Sequence, residues 1–195
     1  MEKNLGILLK NYSPKKHKVS IFDKNLGRIE AIFQNTAQTH QLHHGASLLY
    51  YCETTNSTLY KIKNIEIMDM PLELAKTDIY FLHHVLELCY YFLPLHVGAL
   101  DTFTVIEAAF KYASANKFLI LLRFFTSLGI YPEDIPLEKT FFHRLLSCPI
   151  ETILEEKLDD AQVKMLESWL LRCIEIHPYK KQFKTKLPIT KMNIV

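Results

Sequence analysis

Glycine is scarce in this chain, and the glycine-rich phosphate loops of nucleotide-binding enzymes are absent. Only five of the 195 residues are glycine, and neither G-x-G-x-x-G nor G-x-x-x-x-G-K occurs. The metalloprotease pattern H-E-x-x-H is missing too, and no nucleophile motif is present. We therefore expect a binding protein with no catalytic residues and no cofactor.

Paired cysteines are also missing. The four cysteines are widely separated and form no C-x-x-C pair: Cys52, Cys89, Cys148 and Cys173. A structural zinc site usually draws on such pairs, and disulfides belong to an oxidising compartment. The sequence therefore predicts buried free thiols and no metal site, with two disulfides as the alternative that an even count allows.

Long apolar runs and a secretory signal are absent as well. The most apolar window, residues 118–125, is interrupted by Arg123, whereas a membrane-spanning helix needs about 20 apolar residues. The first twelve residues, MEKNLGILLKNY, lack the apolar region of a signal peptide. With a hydrophobic content of 49% and a charged content of 23%, we expect a globular protein of the cytoplasm.

Acidic residues are unevenly distributed. Residues 1–33 carry seven Lys or Arg against three acids, a net charge of +4, and residues 179–195 carry five Lys and no acid. Residues 71–178 carry nine basic residues against fifteen acids, a net charge of −6. Two basic ends around an acidic middle predict a polyanion-binding surface where the ends meet. The alternative is that the basic tail is a solvated, disordered terminus.

The first 70 residues consist of short apolar or alternating segments separated by polar turns, a pattern typical of strands. Five strands are predicted, at residues 6–12, 19–22, 29–33, 46–54 and 58–68. Pro14 marks the first turn and Gly27 ends the second, because proline cannot continue a ladder and glycine adopts positive φ easily. Strict alternation fails in the fifth strand, so we predict a bulge at Asn64. Such a meander is typical of small barrels, including the oligonucleotide-binding OB-fold.

Aromatic and histidine side chains in this half each have two interpretations. Tyr50, Tyr51 and Tyr60 lie on predicted strands, where they either stack on nucleic-acid bases or pack in the core or at its rim. The polar loop at residues 34–45 contains three histidines: His40, His43 and His44. Imidazoles are common metal ligands, but no carboxylate or thiolate is near in sequence. We therefore expect these histidines to be unliganded.

Helical spacing replaces strand alternation after Met70 and Pro71, which predicts an α+β fold: a five-stranded OB-fold-like barrel followed by an α-helical domain. The predicted helices begin at Thr77 or Asp78, Asp101 or Thr102, Asn116, residue 137, residue 150 and Asp159 or Asp160. The third, which Gly129 ends, is apolar on nearly every side and is predicted to be central and buried. His83 and His84 of the first helix are expected to serve packing rather than catalysis.

Three stretches resemble the RecO family of recombination mediators. KNYSPKKHK, followed by Ile21-Phe22-Asp23 and Leu26-Gly27-Arg28, is similar to the family's N-terminal OB domain, where an L-F-T-x-x-x-G-R/K turn leads into the third strand. The helix ending at Leu128-Gly129 is similar to the family pattern L-L-x-x-L-G-Y. Phe183-Lys184-Thr185-Lys186 is similar to the L-K-S-R stretch that follows the last long helix. The zinc-binding cysteine module of many members is missing here.

The resemblance implies a fold and a function. Residues 1–70 form an OB-fold-like nucleic-acid-binding domain, residues 71–178 a RecO-like helical domain and residues 179–195 a basic tail. The implied function is DNA repair and homologous recombination: the protein binds single- and double-stranded DNA, anneals strands and helps load recombinase onto DNA coated with single-strand-binding protein (SSB). The implied partners are the C-terminal tip of SSB and a RecR-type mediator, and the implied location is the cytoplasm, on the nucleoid.

The candidate site residues form two groups. DNA binding is expected at basic residues of the two ends: Lys15, Lys16, Lys18, Arg28, Lys180, Lys181, Lys184 and Lys186. The SSB tip is expected on the third helix, with its carboxylates on Lys117 or Arg123 and its apolar side chains beside Phe118 or Phe124. The alternative function, which the absence of Lys and Arg from residues 34–45 favours, is a helical protein-interaction adaptor whose barrel no longer binds nucleic acid. An enzyme is a third option.

Overall fold

The computed structural model describes residues 3–12, 17–34, 42–54, 58–112, 116–132, 139–150, 152 and 156–185. Five strands form a closed barrel, and helices follow it along the chain. The expected fold class, an OB-fold-like barrel followed by helices, is confirmed.

The barrel has a single strand order. Its strands are β1 (Asn4–Asn11), β2 (Lys18–Asp23), β3 (Gly27–Phe33), β4 (Ser47–Thr54) and β5 (Tyr60–Asp69). They are hydrogen-bonded in the order β1-β2-β3-β5-β4, and β4 returns to β1. The β3–β5 pair is parallel and the other pairs are antiparallel. This closure leaves β1, β2 and β3 side by side on one wall, the wall that carries the site described below.

The bulge predicted at Asn64 is confirmed. On β4 a single residue separates Leu49 from Tyr51, whereas two residues separate their partners on β5, Glu66 and Lys63. Asn64 has a φ of +53°, a left-handed conformation that asparagine tolerates better than most residues. The extra residue is what breaks strict alternation in the sequence of β5.

Two apolar faces of the barrel strands are buried. Side chains that point inward fill the barrel and are fully buried: Leu8, Ile21, Ile29, Leu48 and Ile62. Ile7, Leu9 and Phe22 belong instead to the core formed by the helices, and the rings of Phe22 and Phe103 lie 5.2 Å apart. The outer side of β1 and β2 is therefore covered by helices at these three residues, and the helical core lies beside a separate core inside the barrel.

The helices are α1 (Leu72–Phe92), α2 (Leu100–Lys111), α3 (Lys117–Ser127), α4 (Lys139–Ser147) and α5 (Asp160–Glu175), and a 3₁₀ turn spans Lys180–Gln182. Of the helix predicted to begin at residue 150 and to run to Lys157, Ile150 and Thr152 are helical and Glu156 and Lys157 are not; the residues between lie outside the described ranges. α5 begins with a capping box between Asp159 and Gln162, as the acidic start predicts.

α1 begins earlier than predicted and contains a kink. Asp78 has non-helical angles (φ −152°, ψ 81°), and its side chain accepts a hydrogen bond from the Phe81 amide at 2.9 Å. Asp78 therefore caps the longer part of α1, as predicted. The prediction missed the preceding turns from Leu72, which are retained because Leu74 is buried in the core.

α3 is the central helix, as its all-round apolar sequence predicts. Eight of its residues are buried. The Asn116 side chain accepts from the Phe118 amide at 3.1 Å at the N-terminus. At the C-terminus, the Ile130 amide bonds the Phe125 carbonyl and the Gly129 amide bonds the Thr126 carbonyl, each at 3.0 Å. This is a Schellman motif, and the positive φ of Gly129 (+71°) makes it possible.

The β2–β3 turn meets the loop between α1 and α2 backbone to backbone. A short parallel bridge joins Arg28 to Leu95, and the His96 amide donates to the Arg28 carbonyl at 2.9 Å. Gly27 has a φ of +74°, and a Cβ on it would lie 1.8 Å from the Val97 carbonyl oxygen. Glycine is therefore required here by both conformation and space.

We expect Gly27→Ala to destabilise the protein far more than Gly129→Ala. Both glycines have positive φ, but a Cβ on Gly129 meets nothing within 4 Å. Gly129→Ala should lower the free energy of unfolding by about 1 kcal/mol, through conformation alone. Gly27→Ala should lower it by roughly 3–4 kcal/mol, because the clash is added. Urea unfolding measures both; equal losses would show that the Gly27–Val97 contact is not tight.

Candidate nucleic-acid interface

The β2–β3 turn is organised by the buried carboxylate of Asp23. One carboxylate oxygen accepts the amides of Asn25 and Leu26, each at 2.9 Å. The other accepts the Asn4 side-chain amide at 2.9 Å and the Tyr50 hydroxyl at 2.5 Å. Burial, reinforced by the charge of Asp23, raises the pKa of Tyr50 well above its usual range, so the phenol keeps its proton and donates. Since Tyr50 is fully buried, its role is core packing rather than base stacking.

Basic and aromatic side chains converge on the outer wall formed by β1, β2 and β3, next to the end of α1. We call this group the basic–aromatic cluster: Lys10, Tyr12, Lys18, Arg28 and Tyr90. All five residues are half-buried. The three cations come from the barrel strands, and the two rings come from the residue that follows β1 (Tyr12) and from α1 (Tyr90).

Each cation of the cluster lies over an aromatic ring. The Lys10 ammonium is 4.5 Å from the ring centroid of Tyr90 and 4.9 Å from that of Tyr12. The Lys18 ammonium lies 4.7 Å from the Tyr12 ring, and the Arg28 guanidinium 5.1 Å from the Tyr90 ring. Such cation–π contacts orient the charges without neutralising them.

The carboxylate of Glu30 faces the cluster. It accepts the Tyr12 hydroxyl at 3.1 Å and lies 3.2 Å from the Lys18 ammonium. The hydroxyls of Tyr12 and Tyr90 are 2.7 Å apart, so Tyr90 donates to Tyr12, which donates to Glu30. Burial, with the bond to Tyr90, raises the pKa of Tyr12 well above its usual range. With three cations and one facing carboxylate, the cluster carries an excess of positive charge. The buried Arg28 Nε has no hydrogen-bond partner among the described residues.

The sequence identified part of this cluster. Lys18 and Arg28 are predicted DNA-binding residues and lie in it, whereas Lys15 and Lys16 fall outside the described residues. Lys10 was missed. The β1–β2 register shifts between Leu8 and Lys10, and this irregularity brings Lys10 to the rings in a way that plain alternation does not predict. Its one sequence signal is a basic residue two positions before a tyrosine.

Residues 179–185, called here the C-terminal segment, pack on the last turns of α1. The Phe183 ring lies 5.1 Å from the ring of Tyr91 and 5.6 Å from that of Phe92. Three predicted DNA-binding residues of the segment are exposed, Lys180, Lys181 and Lys184, and Lys186 falls outside the described residues. The first part of the tail is therefore packed against α1, which differs from the alternative prediction of a solvated, disordered terminus.

The C-terminal segment and the basic–aromatic cluster meet along α1. Successive ring contacts join Tyr12 to Tyr90 (6.4 Å between centroids), Tyr90 to Tyr91 (5.0 Å) and Tyr91 to Phe183 (5.1 Å). These ring contacts therefore link, through α1, the two ends of the chain that carry the basic residues.

Glu87 of α1 holds the segment by its backbone. Its carboxylate accepts the amides of Lys184 and Thr185, each at 2.8 Å, and also the Thr185 hydroxyl. The Thr185 hydroxyl lies 2.9 Å from Nδ1 of His84. Because the hydroxyl proton goes to Glu87, we assign His84 the tautomer in which Nδ1–H donates, with Nε2 unprotonated. Burial lowers the pKa of His84 to about 4, although Glu87 opposes the shift, so the ring is neutral at pH 7.

The predicted partner-binding residues serve internal packing. Phe118 is 6% exposed and Phe124 1%, so neither ring offers an open surface to the apolar side chains of the SSB tip. Lys117 forms an ion pair with Asp78. Arg123 donates to the carbonyl of Leu146 at 2.5 Å and to those of Leu145 and Cys148 at 3.4 Å, which satisfies the end of α4. Partner binding at these four residues stays a prediction. It is not favoured by their internal contacts, which bury both rings and pair both cations within the protein.

Two other tyrosines on the barrel are partly accessible. The Tyr60 ring lies 5.5 Å from that of His96, an exposed residue with a φ of +60°. Leu95 and His96 run along the edge of β3 just before the point where Tyr60 begins to pair with it. Tyr51 lies on β4, with the Lys3 ammonium 6.0 Å from its ring centroid. Of the three tyrosines considered for base stacking, Tyr60 lies nearest the β3 edge of the wall.

The histidines and cysteines of the described ranges form no metal-ligand group and no disulfide. No group of three or more His, Cys, Asp or Glu side chains in the described ranges is placed to hold a metal ion, and His40 falls outside those ranges. The four cysteines are free thiols: Cys89 and Cys173 are buried, and Cys52 and Cys148 are half-buried. Burial, with Asp23 nearby, raises the pKa of Cys52 to about 12. No helix among the described residues is long and apolar enough to cross a membrane.

The buried neutral His84 should make stability depend on pH. Its pKa is about 4 in the folded state and about 6.5 when unfolded, so between these values the unfolded chain binds more protons. This contribution to stability is therefore present at pH 7 and is lost as the pH falls, by about 2 kcal/mol between pH 7 and pH 5. In His84→Gln this loss should disappear, and in His83→Gln, at the exposed neighbour, it should remain. Urea unfolding at the two pH values tests this; equal pH dependence in all three proteins would contradict it.

Comparison with known proteins leaves the chain without a family assignment, since no family model matches it and no curated protein matches it.

Proposed function

We propose that this protein binds single-stranded nucleic acid and acts as a mediator in DNA repair and homologous recombination. The observation that carries the proposal is the basic–aromatic cluster on the β1–β3 wall of an OB-fold-like barrel. OB-folds bind oligonucleotides on the strand 2–3 face and on the loops beside it. Lys18 and Arg28 belong to these two strands.

The chemistry of the cluster suits a nucleic-acid strand. Ammonium and guanidinium groups contact phosphates and release counterions, and partly exposed rings accept bases by stacking. Lys10, Lys18 and Arg28 are already desolvated on one side by the rings of Tyr12 and Tyr90, which orders them before a ligand binds. Ordered charges lose less conformational entropy on binding than free lysines do.

The exposed lysines of the C-terminal segment would extend this surface along the phosphate backbone. Lys180, Lys181 and Lys184 are exposed residues of the segment that packs on Tyr91 through the rings of Tyr179 and Phe183. The fifteen acids of residues 71–178 disfavour phosphate elsewhere on the helices.

The mediator role rests on the resemblance to the RecO family. It includes strand annealing, binding of double-stranded DNA, loading of recombinase, the partners SSB and a RecR-type mediator, and a place on the nucleoid. In this proposal the protein is not an enzyme. The second candidate is a protein-interaction adaptor, favoured by exposed apolar side chains on α1, since Leu72 is 53% exposed, Ile79 42% and Tyr80 77%.

We expect the parent to bind a labelled single-stranded oligonucleotide with an affinity that falls steeply with salt. Lys10→Gln combined with Lys18→Gln should weaken binding and flatten the slope of log affinity against log salt by about 1.4, since each lost phosphate contact removes about 0.7. The control is Lys164→Gln, at an exposed lysine of α5, which should bind like the parent. If the parent shows no binding at low salt, the mediator proposal fails and the adaptor replaces it.

Tyr60→Ala should weaken oligonucleotide binding without changing the salt slope, because stacking releases no counterions. A stacked base is worth about 1–3 kcal/mol, so the affinity should fall roughly 5- to 150-fold. Tyr112→Ala, at a tyrosine 37% exposed just after α2, is the matched control and should have no effect. An unchanged affinity in Tyr60→Ala, with the parent binding normally, would remove Tyr60 from the interface.

A further inference from the structure

We propose that Glu87 is a positioning residue for nucleic-acid binding, which clasps the C-terminal segment onto α1 and so holds Lys180, Lys181 and Lys184 beside the basic–aromatic cluster. This inference rests on the proposed function and adds a role that the resemblance does not imply. It assigns an acidic residue to a surface that binds a polyanion.

The carboxylate of Glu87 is fully engaged in holding the segment. One oxygen accepts the Lys184 amide, and the other accepts both the amide and the hydroxyl of Thr185. His84, on the buried face of α1, donates through Nδ1–H to the same Thr185 hydroxyl. Hydrogen bonds to a charged acceptor are roughly twice as strong as neutral ones, so these contacts fix the segment's backbone at residues 184 and 185.

Apolar contacts alone do not set this position. Phe183 packs against Tyr91 and Phe92, and Tyr179 lies 6.1 Å from Tyr91. Ring packing of this kind has no strong directional preference along a helix. The two backbone N–H hydrogen bonds to Glu87 are directional, because both donors must point at one carboxylate. Phe183 therefore anchors the segment, and Glu87 determines where its lysines lie.

The position of Glu87 on α1 links the clasp to the cluster. Tyr90 and Tyr91 follow Glu87 by three and four residues, so they lie one turn further along the same side of the helix. Tyr90 carries the contacts with Lys10 and Arg28, and Tyr91 carries the contact with Phe183. Residues within one turn of α1 therefore contact both the C-terminal segment, through Glu87 and Tyr91, and the barrel cations, through Tyr90.

Glu87→Gln separates this role from simple electrostatics. Glutamine offers one acceptor oxygen and an NH₂ donor, so it cannot accept all three bonds from the segment. If Glu87 only contributes negative charge, its neutralisation should raise affinity for DNA. If it positions the lysines, the same change should lower affinity. The two hypotheses predict opposite signs.

The experiment measures binding of a labelled single-stranded oligonucleotide across a salt series. In Glu87→Gln we expect weaker binding and a salt slope flattened by up to about two units, for three displaced lysines. Glu167→Gln removes a half-buried carboxylate of α5 and should not weaken binding. Thr185→Val keeps every charge but removes the hydroxyl from Glu87 and should shift both quantities in the same direction as Glu87→Gln, by less.

Hydrogen exchange on the free proteins gives a second readout. The amides of Lys184 and Thr185 should exchange faster in Glu87→Gln than in the parent, while those of α3 stay protected in both, which shows that the fold is intact. A parent that binds, together with a Glu87→Gln that binds equally or more tightly, overturns the positioning role alone. If the amides of residues 184 and 185 exchange at the same rate in Glu87→Gln as in the parent, Glu87 does not hold the segment. A parent that does not bind at any salt concentration overturns the proposed function, and the positioning role with it.

Discussion

The buried carboxylate of Asp23 is the interaction on which the arrangement of barrel, helices and cluster depends. It accepts two amides of its own turn, the Asn4 side chain and the Tyr50 hydroxyl. A buried charge is tolerated only when its hydrogen bonds are made, so the turn has one conformation. That conformation places Gly27 against the backbone of the α1–α2 loop and directs Arg28 toward Tyr90.

α1 connects the parts of the candidate site. Its core side holds Phe81, Val85 and Leu88, and its last turns meet the barrel cations through Tyr90 and the C-terminal segment through Glu87. The apolar core runs without interruption from the outer side of β1 and β2 into the helices. The outer face of the barrel strands therefore belongs to the helical core, while the inside of the barrel has a core of its own.

Part of the candidate site could be predicted from the sequence. Lys18, Arg28 and the tail lysines stand out as local excesses of charge, and Phe183 as an apolar residue among them. Lys10, Tyr90 and Glu87 do not, because each acquires its role from a partner far away in the chain: Lys10 from Tyr90, Tyr90 from Tyr12, and Glu87 from Thr185. Phe118 and Phe124 are the opposite case, since the resemblance assigns them to a partner, whereas the all-round apolar sequence of α3 predicts the burial that the structure has.

The sequence by itself determined the local structure: the strands and the bulge at Asn64, the cap at Asp78, the Schellman end at Gly129 and the change from strand to helix after residue 70. These follow from periodicity and from the backbone preferences of single residues, which act over a few positions. Only the tertiary structure decided that Tyr90 meets Tyr12 and Lys10 of the barrel and that Glu87 holds the tail. These contacts join residues as much as 98 positions apart, and long-range packing and hydrogen bonding between such residues have no local pattern from which to be inferred.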